Sequence, residues 1–456
     1  MSMSGLMASS DNAAVADAPP PEEARRYPSA PYAWMVVILL TTAYALSLLD
    51  RWVLTLLVQP VKAALHVSDT AMGLLMGPIF ALVYVFLGLP FGWIADRLSR
   101  RNLATFGIAF WSMMTMLSST ASSFGQLALC RFGIGFGEAA LTPAATSMIA
   151  DMFPRKSVNS AIGVFNLGIY AGLGLSYLIG GTLLGWAGTH GGQFLGGHLA
   201  TWQIVFLLVG APGLLIAALL LVAVREPQRH GRLKTTPPTM KACFAFVGRH
   251  RRAFVPLAVG MGTVALSGYA FTWLPTLFTR VWGWPPQRFS IIYGVILLVL
   301  GPLGTVSGGL LANRFYAAGH QDAPYRVIMT SLPLVVVIGG SAVLWPSPYM
   351  TIAALAVSAF FSSMATSAGV SAVVFATPAA YRGRLLALYT MTNSIIGTVL
   401  GPAGVGFLSD HVYRSEGGIR YSMATILLGV GGCLTLFLMT GRRAYAEAVH
   451  ELEAAA

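Results

Sequence analysis

AWMVVILLTTAYALSLLDRWVLTLLV, residues 33–58, carries an acid and a base side by side, Asp50 and Arg51, inside an otherwise apolar run. A run of this length spans a bilayer, because about 20 apolar residues rising about 1.5 Å each cover a hydrocarbon core of about 30 Å. Adjacent charges are expensive there, each costing roughly 2.5 to 3.5 kcal/mol on insertion scales. The pair is therefore expected to face a partner or a wet cavity rather than lipid.

Composition points the same way. Hydrophobic residues make up 56% of the chain and charged residues 10%, and the mean hydropathy is +0.70, which excludes an ordinary soluble domain. Apolar segments recur near 33–58, 72–95, 103–120, 124–148, 160–185 and 202–223, and again near 254–279, 291–312, 327–344, 349–373, 385–408 and 419–440. The fold class read from this pattern is an all-α membrane protein with twelve transmembrane helices in two six-helix bundles. The expected divisions are a disordered cytoplasmic tail over 1–30, an N-terminal bundle over 31–223, a cytoplasmic linker over 224–252, a C-terminal bundle over 253–440 and a cytoplasmic tail over 441–456.

The positive-inside rule tests this map. With the N-terminus inside, 21 of the 28 Lys and Arg residues fall on the cytoplasmic side. Only Lys62, Arg280, Arg288, Arg414 and Arg420 fall opposite, and Arg51 and Arg131 remain within the membrane. The expected location is a bacterial inner membrane, with both termini cytoplasmic and the chain working as a monomer in its lipid bilayer. A net charge of +12 does not indicate nucleic acid, because the basic residues punctuate apolar segments instead of lining a soluble face. The linker, with eight basic residues, reads either as an interfacial helix near 240–248 or as a solvated loop.

Cys130, Cys243 and Cys433 have no C-x-x-C spacing, and no G-x-S-x-G, H-E-x-x-H or Walker sequence occurs. No enzyme, cofactor or metal site is expected. The remaining intramembrane charges lie in Cys130-Arg131-Phe132-Gly133-Ile134-Gly135-Phe136-Gly137-Glu138. Arg131 and Glu138 are two helical turns apart, about 10 Å, and point the same way. Gly133 and Gly137 form a step that lets a neighbouring helix come close. Counting from the helix starts puts Asp50 and Arg131 at nearly one level, so these two are expected to pair, with Glu138 nearer the midplane. Asp50 and Glu138 are assigned protonation roles, and Arg51 or Arg131 the anionic group of a substrate; a static salt bridge is the alternative. Three pairs at one-turn spacing are cavity candidates: Asn166 with Tyr170, Tyr269 with Trp273, and Tyr389 with Asn393.

Between the second and third segments stands Gly92-Trp93-Ile94-Ala95-Asp96-Arg97-Leu98-Ser99-Arg100-Arg101, with a weaker echo at Gly309-Leu310-Leu311-Ala312-Asn313-Arg314 in the other half. The chain here resembles the major facilitator superfamily, whose signature is G-x-x-x-D-R-x-x-x-R. The match is at Gly92, Asp96, Arg97 and Arg101, with Ser99 where the family often has glycine. The resemblance implies the major facilitator fold and a cytoplasmic gate. Asp96 would lie near the N-terminus of the eleventh helix around Leu385, and Arg97 would pair with Asp151, with Asn313 and Arg314 in the matching place. Arg100 is expected only to orient the chain.

Asp50-Arg51, the run from Gly135 to Ala139 and Ile149-Ala150-Asp151-Met152-Phe153 resemble the Spinster branch, which implies lysolipid-like cargo. The expected function is a proton-coupled secondary transporter of an amphipathic or organic anion. A uniporter, a carrier of an aromatic or sugar acid, and a non-transporting receptor stay open as alternatives.

Overall fold

A computed structural model describes residues 27–197, 199–229 and 239–454; among these the chain is helical, with no strand. The first half contributes α1 (Ala30–Leu56), α2 (Asp69–Ala95), α3 (Arg100–Leu117), α4 (Phe124–Glu138, continued by Leu141–Met152), α5 (Lys156–His190) and α6 (Thr201–Ala223). The second contributes α7 (Arg251–Trp282), α8 (Pro286–Ala317), α9 (Ala323–Ala342), α10 (Pro348–Phe375), α11 (Arg382–Tyr413) and α12 (Glu416–Thr440). All but α3 and α4 are long and apolar enough to cross a membrane as single helices. α3 opens on Arg100-Arg101-Asn102, and α4 is split at Ala139–Ala140. These two complete the twelve-helix, two-bundle architecture.

Local chemistry sets the starts and stops. Ser68, Ser99 and Ser123 hydroxyls accept from the N–H groups of Ala71, Asn102 and Gln126, capping α2, α3 and α4. Gly283, at φ +65°, closes α7 in the left-handed region where a side chain is disfavoured. α1 packs on α5 as α7 packs on α11, the same contact in each half, and the halves meet along α5 with α8 and α2 with α11. The neighbour that Gly137 admits is α3. A Cβ on Gly107 would lie 2.7 Å from the Gly137 carbonyl oxygen, and one on Gly137 would lie 2.8 Å from that of Gly107, so the two backbones touch.

Three apolar cores fix the shape. At the end bearing the arginine-rich loops, called here the basic end, each half has its own core, around Val37, Met148 and Phe165 in one and Leu257, Ile328 and Tyr445 in the other. At the far end a single core runs across both halves, from Leu57 and Met76 to Trp273 and Phe289. The halves are thus joined at the far end and parted at the basic end.

Two further helices attach to the C-terminal half. The linker forms a helix over Met240–Arg249, docked by buried Cys243 and by Phe246, whose ring lies 5.6 Å from Phe254 and 5.3 Å from Tyr381. The terminal stretch is a second helix, Arg442–Ala454, which buries Tyr445, Ala448 and Val449. The tail expected over 1–30 lies largely outside the described residues.

Candidate functional site

The four intramembrane charges meet, in a pairing different from the expected one. Arg51 of α1 donates to Glu138 of α4, Nη2 to Oε2 at 2.6 Å. The Arg51 guanidinium also lies over the rings of Phe80 and Tyr84 in α2, 4.4 and 4.6 Å from their centroids. Arg131 does not take the Asp50 carboxylate. It donates to the carbonyls of Arg51 at 3.0 Å, Asp50 at 3.3 Å and Leu75 at 3.4 Å. The reason lies in α1, which tightens into a 3-10 turn at Leu54–Leu56; a helix that passes from i−4 to i−3 bonding skips a carbonyl, and Arg131 satisfies the carbonyls there. Arg131, Asp50 and Glu138 are buried, while the Arg51 side chain keeps 12% of its surface exposed. Of the four charges, Arg51 has the most access.

A cleft of about 610 Å³ opens between the halves at the basic end. One wall is Tyr84, Val85 and Gly88 of α2 with Thr142 and Pro143 of α4; the other is α11 from Arg384 to Ser394, with Met240 of the linker helix at its edge. Most of these side chains are apolar. Tyr84 lines the cleft and also stacks on Arg51, so it joins the hollow to the charged group.

The cavity candidates divide. Tyr269 stacks on Trp52 at 5.7 Å, beside Arg51, and so joins the site across the two halves. Trp273 does not: it is fully buried and donates Nε1–H to the Pro402 carbonyl at 3.0 Å. A 3-10 turn at Phe271–Trp273 overwinds α7 and breaks the four-residue stripe. The Tyr170 hydroxyl bonds Thr305 of α8, tying the halves together, and Asn166 is exposed on α5. Neither lines the cleft. On α11 the cleft-lining positions include Leu386, Ala387, Thr390, Met391 and Ser394, whereas Tyr389 turns toward Gly369 and Asn393 lies beside Tyr389. Four-residue spacing defines a stripe but not the direction it faces.

At the basic end the expected gate is redistributed. Asp151 pairs with Arg100, the arginine assigned only to orientation, while Arg97 lies 3.8 Å over its neighbour Trp93 and donates to the Trp93 carbonyl. Arg100 is 1% exposed and also donates to Glu226 at 2.9 Å, the Ser147 hydroxyl at 3.1 Å and the Pro227 carbonyl at 2.8 Å. Burial raises the Glu226 carboxyl, but the Arg101 N–H, the Arg100 guanidinium and the Ser99 hydroxyl outweigh it and hold it below its ordinary value. Arg229 of the linker closes α2, donating to the carbonyls of Ala95, Asp96 and Leu98. Asp96 is exposed, and a Cβ on Gly92 would meet nothing within 4 Å, because the cleft stands between this end of α2 and α11. Asn313 and Arg314 are exposed at the end of α8.

At the far end stands a latch that sequence reading missed. Asp69 at the start of α2 takes Arg280 of α7 at 2.6 and 2.7 Å, Lys62 at 2.6 Å and the Ser409 hydroxyl of α11 at 2.8 Å. Asp410 of α11 returns the contact, accepting from the N–H groups of Thr70 at 2.6 Å and Asp69 at 3.2 Å, and so caps the N-terminus of α2 from the opposite half. Gly73 and Gly77 make room, since a Cβ on either would run into the carbonyls of Pro402 and Thr398. That G-x-x-x-G step, just after an aspartate, was the available signal.

Residues 40–402 match the family described as the Major Facilitator Superfamily. The chain belongs to the Major Facilitator Superfamily. It is therefore a multi-pass membrane protein with the family and fold of small-molecule transporters, not those of enzymes. It is 28% identical over 401 residues to an MFS-type efflux pump of Mycolicibacterium smegmatis, covering 87% of this chain and 89% of that one. To the zebrafish (Danio rerio) sphingosine-1-phosphate transporter SPNS2 it is 25% identical over 403 residues, 83% and 76% of the two chains. It superposes on a bacterial homologue of the human lysosomal transporter Spinster, in its inward-facing, unoccupied conformation, with a TM-score of 0.77 and 27% identity over 93% of this chain and 98% of that one. The cleft of this chain is closed at the far end and open at the basic end.

Proposed function

We propose that this chain is a proton-coupled secondary transporter that moves an amphipathic anion, of lysolipid type, by alternating access. The observation that carries this is the Arg51–Glu138 pair beneath an apolar cleft, where Tyr84 touches both the cleft and Arg51. Val85, Leu386, Ala387 and Met391 suit an alkyl chain, and Arg51 suits a phosphate or carboxylate at the cleft's inner end. The sphingosine-1-phosphate transporter among the relatives supports the same cargo class.

Coupling follows from competition. A substrate anion that draws Arg51 away leaves Glu138 without its cation, and a carboxylate stripped of its partner in a dry site takes up a proton. Glu138 Oε1 and Asp50 Oδ1 are buried with no hydrogen-bond partner among the described residues, which leaves room for that proton. The basic end is assigned to the cytoplasm by its arginines, with both termini there, in a bacterial inner membrane, and the working unit is a monomer.

Reconstituted protein should accumulate a lysophospholipid or sphingoid phosphate faster when a pH gradient is imposed. Uptake at one rate with and without the gradient would leave a uniporter and overturn the coupling. Binding without accumulation would indicate a receptor.

A further inference from the structure

At the basic end of the C-terminal half, away from the cleft, a groove of about 520 Å³ lies between the first turns of α7, the last turns of α12 and the terminal helix Arg442–Ala454. Arg251, Arg252 and Arg443 line it, together with Val255, Phe437 and Glu447. We propose that this groove holds the phosphate of an anionic phospholipid from the leaflet at the basic end, with its acyl chain lying along Val255 and Phe437.

Three observations lead there. The three arginines make no hydrogen bond or ion pair among the described residues, whereas Arg326 and Arg442 nearby are both held by Asp322, at 2.7 and 2.9 Å. The cluster is therefore not explained as internal wiring. Each of the three also stands in the first turn of its helix, Arg251 and Arg252 in α7 and Arg443 in the terminal helix. The helix dipole opposes cations at that place and favours an anion, and three guanidiniums against the single carboxylate of Glu447 leave the groove net positive. Finally, Val255 and Phe437 are 39% and 41% exposed on the flank of the same groove. Side chains at that depth pass from apolar to basic within two turns, as a surface does where acyl chain gives way to headgroup. Charge complementarity selects an anionic lipid over a neutral one.

The test compares thermal unfolding of the full chain in nanodiscs of phosphatidylcholine alone and in nanodiscs that also contain phosphatidylglycerol. Phosphatidylglycerol should raise the Tm of the wild type and leave the Tm of Arg251→Gln/Arg252→Gln/Arg443→Gln unmoved. Native mass spectrometry should show phosphatidylglycerol binding weakened about five-fold for each arginine removed, roughly a hundred-fold for three. An equal rise in wild type and variant would overturn the site. So would an equal rise from inorganic phosphate at matched ionic strength, because the ligand would then be free anion. If the triple variant does not fold, native mass spectrometry of the wild type decides. Preferential retention of phosphatidylglycerol over phosphatidylcholine supports the groove, and equal retention rejects it.

Discussion

Asp69→Asn should unlatch the far end. Asp69 is buried and its carboxylate is shared by Arg280, through two hydrogen bonds of 2.6 and 2.7 Å, and by Lys62 at 2.6 Å. Removing one partner of a buried ion pair costs about 3 to 5 kcal/mol, because the other charge is left uncompensated. Asparagine still accepts a hydrogen bond through one oxygen and Asp410 still caps α2, so the lower figure, about 3 kcal/mol, is the one to expect. Arg280 keeps its exposed partner Glu416 of α12 at 2.8 Å and Lys62 is already partly exposed, so what is lost is the bond between α2 and α7, and the loss acts against the closed state. At about 1.4 kcal/mol per tenfold, the ratio of far-end-closed to far-end-open molecules should fall by roughly a hundred-fold. Double electron–electron resonance between spin labels at Ala64 and Val412, with Cys130, Cys243 and Cys433 replaced, reads that ratio directly. A distance distribution unchanged from wild type would show that Asp69 does not hold the halves together.

Arg100→Gln should destabilise the protein by about 2 kcal/mol, since it removes a buried guanidinium that donates to Asp151, Glu226, Ser147 and Pro227, whereas Arg97→Gln at the exposed position should stay within about 0.5 kcal/mol; unfolding in detergent by both variants separates the two arginines. The Glu226 carboxyl is held below its ordinary value of 4.5, so the folded state binds that proton less readily than the unfolded chain. Its contribution is complete above pH 4.5 and is lost as pH falls through the lowered value, and Glu226→Gln should flatten that part of a Tm-against-pH curve. Trp273→Phe, which keeps a ring but removes the donor to Pro402, should cost about 1 kcal/mol in stability and leave substrate affinity unchanged in a binding assay.

The sequence made some features legible because their physics is local. An apolar run long enough to span a bilayer announces a helix, and the dense arginines of one set of loops announce which end they share. The four intramembrane charges could be found because such charges are rare and costly, wherever their side chains turn. Their pairing could not. Asp50 and Arg51 are neighbours about 100° apart around a helix, so the winding of the next turn decides which of them faces Glu138 and which carbonyls reach Arg131. The same blindness to rotation misplaced Tyr389 by about one residue on α11. The pairing of Arg97 with Asp151, implied by the family resemblance, fails on burial instead: Arg100, three positions along, is the buried arginine and takes Asp151. The far-end latch was hidden for a different reason: Asp69 and Asp410 are 341 positions apart, and each alone reads as a charge at the end of a helix. Only the packing of α2 against α11 makes them one device.

Proteoliposomes loaded with a pH-sensitive dye give the most direct measurement of coupling through Glu138. On adding lysolipid outside, wild-type protein should change the internal pH, and Glu138→Gln should abolish that change while still exchanging labelled for unlabelled lysolipid across the membrane. An internal pH change in Glu138→Gln equal to that of wild type would contradict the role of the Arg51–Glu138 pair as the point where substrate and proton meet.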